Sequence, residues 1–248
     1  MMTMADCHGK IGQIKENGAL KMNAAFLNEN MMGPNAWLIA EELTANLLLK
    51  KGMRVLDLGC GRGLTSVFLA EKFDVEVFAV DLWISPTENY SRFQQAGVSH
   101  LTVPLQFDAL RLPFAEGFFD AVVSVDAYHY FGNNNSYFTQ VLKPILKKDA
   151  LVAIAFPGMK YEVHENIPEE MKMFWEPEAL EMWHSIDWWK PKFEPHLKNF
   201  QITEMNCFYK AWADWLACGN PYAIEDKPMM EADNGRYMNL IKLLGTIY

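Results

Sequence analysis

The chain has 248 residues, half of them hydrophobic, enough for one large α/β domain with an elaboration but not for several large ones. A formal net charge of −9 and a sequence pI near 5.2 exclude a general polyanion-binding surface. Lys50-Lys51 and Lys147-Lys148 are too short to track a phosphate backbone, so nucleic acid is not an expected partner. Cys7, Cys60, Cys207 and Cys218 show no C-x-x-C spacing, which indicates neither a disulfide frame nor a zinc site, and no metal is expected. No apolar run approaches the roughly 18 residues of a membrane span, and the first residues carry no apolar signal core, so a reduced, cytoplasmic protein without an integral membrane segment is expected.

Residues 1–23 are polar and aperiodic and read as a mobile N-terminal segment before one domain over 24–248. Between Ala24 and Lys51 the apolar positions predict helices broken at Gly33-Pro34, the second running from about Asn35 to Leu49. The stretch from Arg54 to Trp83 organises the rest. Val55-Leu56 reads as a strand that reaches Asp57, then glycines follow at alternate positions, Gly59, Gly61 and Gly63. Leu64, Val67, Phe68, Leu69 and Ala70 lie at helical spacing, and Val75 to Val80 is a second strand that ends on Asp81. Such a glycine loop lets a ligand lie on bare backbone, where the N–H groups of the helix start point outward.

Ser85-Pro86-Thr87-Glu88-Asn89 opens a helix to about Ala96, and Leu101 to Phe107 is a third strand ending in Asp108-Ala109. Phe119 to Val125 is a fourth, apolar throughout as expected of a strand buried on both faces, and opens into Asp126-Ala127-Tyr128-His129-Tyr130-Phe131-Gly132. A helix from about Tyr137 to Leu146 leads to a fifth strand, Ala150 to Phe156, that stops at Pro157-Gly158. From Met159 to Asn199 the composition changes to tryptophans, methionines and glutamates (Trp175, Trp183, Trp188, Trp189, Glu162, Glu178 among them), read as a helical cap inserted after strand five. Strands are expected again from Phe200 to Phe208 and, antiparallel, from about Tyr237 to Tyr248, with a helix at Trp212–Trp215 and a polar turn at Asn220-Pro221 between them. In an open α/β sheet the ligand lies outside the carboxyl ends of the strands, so Asp57, Asp81, Asp108 and Asp126 are expected along one edge.

Asp57, Gly59, Gly61 and Gly63 match the acid-x-Gly-x-Gly-x-Gly pattern of motif I, and on these residues the chain resembles the class I S-adenosylmethionine (SAM)-dependent methyltransferases. The G-x-G-x-x-G spacing of dinucleotide-binding folds is not met, because Gly63 is followed by Leu64. The resemblance covers residues 35 to 158 and looks closest to the cyclopropane-fatty-acid-synthase-like, small-molecule and lipid-modifying branch. It implies a Rossmann-like, doubly wound, seven-stranded sheet, mostly parallel with one antiparallel strand. It also implies that SAM, leaving S-adenosylhomocysteine, is held by Asp57, Gly59, Cys60, Gly61, Gly63, Asp81, Leu82, Asp108, Ala109 and Asp126. Asp81 is expected to accept the ribose hydroxyls, and its loss to weaken SAM binding while sparing folding. Asp108 is expected to accept from the adenine amino group. In this family a segment before motif I folds over the cofactor, which places Met31 to Trp37 within reach of ligand. The implied chemistry is attack on the sulfonium methyl carbon by a small-molecule or lipid-like acceptor, with His129 as the candidate base and Tyr128 beside it. The segment 159–199 and the loop Asp126–Phe131 are expected to select the acceptor, and homodimerisation stays open. A protein of the same fold that binds SAM as a sensor or partner subunit is the alternative.

Overall fold

The structure, a computed structural model, describes residues 23–176 and 180–248. The expected mobile segment, Asn23 apart, and Glu178 of the expected cap lie outside the described residues. Seven strands form one sheet: β1 (Arg54–Leu58), β2 (Glu76–Asp81), β3 (Thr102–Gln106), β4 (Phe119–Val125), β5 (Leu146–Met159), β6 (Leu197–Glu204) and β7 (Met238–Ile247). Their spatial order is β3-β2-β1-β4-β5-β7-β6. Pairs from β3 through β5 are parallel, and β7 runs antiparallel to both its neighbours, β5 and β6. The order reverses between β1 and β4, the switch point where a doubly wound sheet opens a crevice.

Alternation along the strands decides the two faces. Val55, Val77, Ala121, Val123, Ala153 and Ala155 belong to one core. Leu56, Val122, Val152, Ile154 and Phe156 belong to the other. Both cores are covered, so the central strands read as continuous apolar runs instead of alternating ones. The helices α1 (Ala24–Asn30), α2 (Ala36–Thr44) and α3 (Leu64–Phe73) contribute Phe26, Ile39, Leu43, Val67 and Phe68 to the first core. α4 (Pro86–Gln95) begins with the capping box that Ser85 and Glu88 announce: Ser85 Oγ accepts from Glu88 N at 3.3 Å, and the Glu88 carboxylate accepts from Ser85 N at 3.2 Å.

Several elements differ from their expected form. β5 begins at Leu146 and continues through Pro157-Gly158 to Met159, paired with β7 up to Met159↔Met238. The strand crosses its proline because β4 pairs with β5 only as far as Val125↔Ala155, so on that side the missing N–H has no ladder partner to lose. α2 ends at Thr44; Leu47 and Leu49 mimic a longer helix because they pack back on the core from the connection to β1. Asn220-Pro221 is not a turn but the N-cap and first residue of a helix, Pro221–Asp233, with Asn220 accepting from Tyr222 N. β6 spans Leu197–Glu204, and Phe208 starts the helix Phe208–Ala217.

The helical cap is the largest correction. The described part of 159–199 consists mainly of turns and irregular chain, with 3-10 turns at Glu169–Met171 and Glu194–His196 and the helix Ile186–Phe193. Its buried apolar residues divide between the faces of the sheet: Val163, Met171, Trp175 and Leu180 join the first core, and Trp189 and Phe193 the second. The segment is a crossover from β5 to β6 that fills core, which is why it is rich in buried tryptophan.

Candidate functional site

The turn after β1 brings backbone against backbone. Gly59 N and Cys60 N both donate to Val80 O, at 2.8 and 2.9 Å, so the glycine loop is stitched to the end of β2. Gly59 has a φ of +76°, and a Cβ there would stand 2.2 Å from Ala127 Cβ on the β4 loop, so no other residue lets the two turns approach this closely. Gly61 N donates to Asp81 Oδ2 at 2.8 Å, while Asn89 Nδ2 of α4 donates to Gly61 O at 2.8 Å. Arg62 Nη1 reaches Glu29 O at 2.8 Å and ties the loop to α1.

Around this loop lies a cavity of about 510 Å³ at the carboxyl ends of β1, β2 and β4. Gly59, Cys60 and Gly61 form one wall, Asp81, Leu82 and Trp83 another, Asp108 and Ala109 a third, and Asp126 the side toward β4. Of the expected cofactor residues, these eight are brought together: Gly59, Cys60, Gly61, Asp81, Leu82, Asp108, Ala109 and Asp126. Asp81 Oδ1 accepts from Trp83 N at 2.8 Å and Ile84 N at 3.0 Å. With Gly61 N on Oδ2, three of the roughly four acceptor positions of a carboxylate are occupied by backbone, leaving one for a ligand hydroxyl. Asp108 Oδ1 caps the next turn by accepting from Leu110 N at 2.9 Å, and Tyr137 Oη donates to Ala109 O at 3.1 Å.

The roof comes from the segment between α1 and α2. Asn30, Met32, Gly33, Pro34 and Ala36 line the cavity, whereas Met31 and Trp37 turn into the core. Gly33 lies against Asp126: a Cβ on it would stand 2.6 Å from Asp126 Oδ2. Asn35 anchors the roof, accepting from Leu38 N at 3.2 Å as the cap of α2 and donating through Nδ2 to Asp214 at 2.8 Å. Asp126 is held at φ +56°, a left-handed conformation that is strained outside glycine. Burial, with the charge of Asp226 added, pushes its carboxyl up to about 7. Tyr130 stands at the mouth, edge-on to Trp83 with centroids 6.0 Å apart. Desolvation of its hydroxyl and the charges of Asp126 and Asp226 push its pKa up to about 12.

Four expected site residues sit elsewhere. Asp57 is completely buried beneath the glycine loop, where Oδ2 accepts from Ser66 Oγ at 2.5 Å, and burial pushes its carboxyl up to about 7. Gly63 begins α3 behind the cavity, and a Cβ there would meet the Phe93 ring at 2.5 Å. Tyr128 packs among Phe131, Tyr137, Trp189 and Phe193, and its hydroxyl has no partner. His129 is buried against Tyr130, and burial lowers its pKa to about 3, so its ring is neutral throughout the physiological range. Neither Tyr128 nor His129 lines the cavity, and no described residue of 159–199 does. Phe131 and Tyr130 of the expected acceptor loop do line it, and residues not singled out from the sequence join them: Asn30, Arg62, Thr65 and Trp83 line it, and Asn89 braces it from outside. Trp83 follows two residues after the end of β2, a signal the sequence did carry.

Residues 55–149 match the family described as Methyltransferase domain. Phosphoethanolamine N-methyltransferase 3 of Arabidopsis thaliana is 28% identical over 134 residues, covering 53% of this chain and 26% of that protein. The chloroplastic tocopherol O-methyltransferase of Arabidopsis thaliana is 30% identical over 184 residues, covering 67% of this chain and 47% of that protein. The structure of Haemonchus contortus phosphoethanolamine N-methyltransferase 2 in complex with S-adenosyl-L-methionine aligns with a TM-score of 0.68 at 17% identity, covering 90% of this chain and 55% of that one. The matched part is thus between about a quarter and a half of these curated relatives' lengths. The motif I loop, the strand order and the family match converge: the chain contains a class I SAM-dependent methyltransferase domain.

Proposed function

We propose that this protein transfers the methyl group of SAM to a small organic acceptor, in the cavity between the glycine loop and the Asn30–Ala36 roof. The observation that carries the reading is the enclosure of the glycine loop, Asp81, Asp108 and Asp126 in one space of about 510 Å³, a volume suited to a nucleoside cofactor with room for a small second ligand. The methyl leaves a cationic sulfur and needs no activation, so the protein's work is to hold donor and acceptor in line and exclude water. Asp81 keeps one acceptor position for a ribose hydroxyl, and Asp108 sits where the family pattern puts the adenine.

Acceptor recognition then falls to the mouth, where Trp83, Tyr130 and Phe131 present rings beside the Asp126 carboxylate. Rings and negative charge suit an amine or an amphipathic acceptor better than an anion. Asp126, with its pKa near 7, is placed to take the proton that a nitrogen or oxygen acceptor sheds, a role His129 and Tyr128 cannot reach from the core. The named activities of the relatives, on phosphoethanolamine nitrogen and tocopherol oxygen, span such acceptors. The test has two parts. Calorimetry with SAM and NAD should show SAM bound and NAD ignored. A labelled-methyl assay against pooled amines, phenols, thiols and fatty-acyl lipids should then show transfer that Asp126→Asn slows at least tenfold while SAM affinity stays within a few-fold. NAD bound more tightly than SAM would overturn the cofactor assignment, and SAM binding without transfer to any pool would favour a sensor or partner subunit.

A further inference from the structure

On the surface where the chain leaves β5, a second cluster shares no lining residue with the methyl-transfer cavity. It is a groove bounded by Tyr161, Glu162, His164, His184, Trp188 and Tyr237. We propose that Glu162, His164 and His184 bind a divalent transition-metal ion of the zinc class there. One carboxylate oxygen, Glu162 Oε2, lies 2.8 Å from His164 Nδ1 and 3.0 Å from His184 Nδ1, and the ligand atoms of all three residues fall within 4.8 Å of one another.

The convergence of the three side chains carries the argument. His164 Nε2 lies 2.9 Å from Leu180 O, which leaves Nδ1 as the ring atom facing the Glu162 carboxylate. His184 Nδ1 faces the same carboxylate oxygen, and the two imidazole rings are stacked with centroids 4.5 Å apart, so two ring nitrogens and a carboxylate oxygen meet at one place in the groove. Outer contacts orient the ligands as metal sites require. Glu162 Oε1 accepts from Ser185 N at 2.7 Å, and the His184 ring is stacked on Trp188 with centroids 3.6 Å apart at 5°.

Around a tetrahedral zinc ion with bonds of ~2.0–2.1 Å, ligand atoms stand about 3.3 Å apart, so each Glu162–imidazole pair has to open by only a few tenths of an ångström, and the two imidazole nitrogens, within 4.8 Å of each other, have to come to the same spacing. His184 is pinned by its stack on Trp188, and His164, with 28% of its side chain exposed and held by Leu180 O and the His184 ring, is the ligand with more room to adjust. Two imidazoles and a carboxylate suit zinc, cobalt or nickel and not the all-oxygen preference of calcium or magnesium. Three protein ligands would leave the fourth position of a tetrahedral ion to water from the groove. The metal would clasp the residues after β5 to Ser185, which opens the helix Ile186–Phe193. Glu162, His164 and His184 are spaced by 2 and 20 residues, so no sequence motif announces them.

The test uses the full chain without an affinity tag, freed of metal by a chelator and dialysed. Wild type should bind one equivalent of Zn²⁺ by calorimetry, with at least tenfold lower affinity in His164→Gln and Glu162→Gln, two substitutions at partly exposed side chains. Zinc should raise the melting temperature of wild type and not of the variants, and Co²⁺ should give a spectrum without thiolate charge transfer. Equal zinc affinity in wild type and variants, no stoichiometric binding, or a thiolate spectrum from the cysteines would each overturn the proposal. Circular dichroism and SAM binding, unchanged in the variants, certify that they fold.

Discussion

Asp81→Ala removes a side chain that serves the fold and the ligand at once, and the structure separates the two costs. Three backbone donors, Gly61 N, Trp83 N and Ile84 N, lose a charged acceptor at 2.8, 2.8 and 3.0 Å. Hydrogen bonds to charged groups contribute about 1.5–3 kcal/mol each when nothing replaces them. Asp81 lines the cavity, however, so water can follow the truncation and satisfy part of the loss. About 1 kcal/mol per donor then remains, a destabilisation of about 2–4 kcal/mol. This differs from the sequence-based expectation of spared folding, because the three backbone contacts appear only in the folded chain. The ligand loses one hydroxyl acceptor, worth about 1–3 kcal/mol, or about 5- to 150-fold in SAM affinity. Urea unfolding without ligand gives the first quantity and calorimetry at a temperature where the variant is folded gives the second. An unchanged urea midpoint would refute the structural role, and an unchanged SAM affinity would remove Asp81 from the site.

Other expectations rest on single contacts. Gly59→Ala places a Cβ 2.2 Å from Ala127 Cβ and should cost more than 3 kcal/mol or abolish soluble expression, whereas Gly52→Ala, with a similar φ of +77° but open space, should cost about 1 kcal/mol in thermal melts. Asp57, raised to about 7 from an unfolded value of about 3.9, favours the folded state at low pH and withdraws that stability as pH rises through 7. Asp57→Asn should therefore flatten the fall in unfolding free energy between about pH 5 and pH 8, by up to about 2–3 kcal/mol, measured by urea titration; a slope equal to wild type would contradict the burial argument. Tyr128→Phe deletes a buried hydroxyl without a partner and should hold or raise stability by about 1 kcal/mol with transfer intact, while Tyr130→Ala should slow transfer. Melting curves and initial rates on the two variants decide between them.

What the sequence determined by itself was everything with a local cause. Alternate glycines after an apolar strand specify a turn that only bare backbone can make, Ser85 and Glu88 cap their helix across three residues, and runs such as Phe119–Val125 declare strands covered on both faces. Order along the chain, together with the rule that ligands lie at strand ends, was enough to bring Asp81, Asp108 and Asp126 to one edge. Tertiary structure decided the rest, because which way a side chain faces depends on what packs against it from distant sequence. Asp57 ends the same kind of strand as Asp81 yet lies under the loop on Ser66, and Tyr128 and Tyr130, two residues apart, point into core and cavity. The tryptophans of 159–199 look alike in composition whether they cap a pocket or fill a core. Only the crossover, which must cover one face of the sheet on its way out and the other on its way back, distributes Trp175 and Trp189 to opposite sides and leaves the roof of the site to residues 30–36.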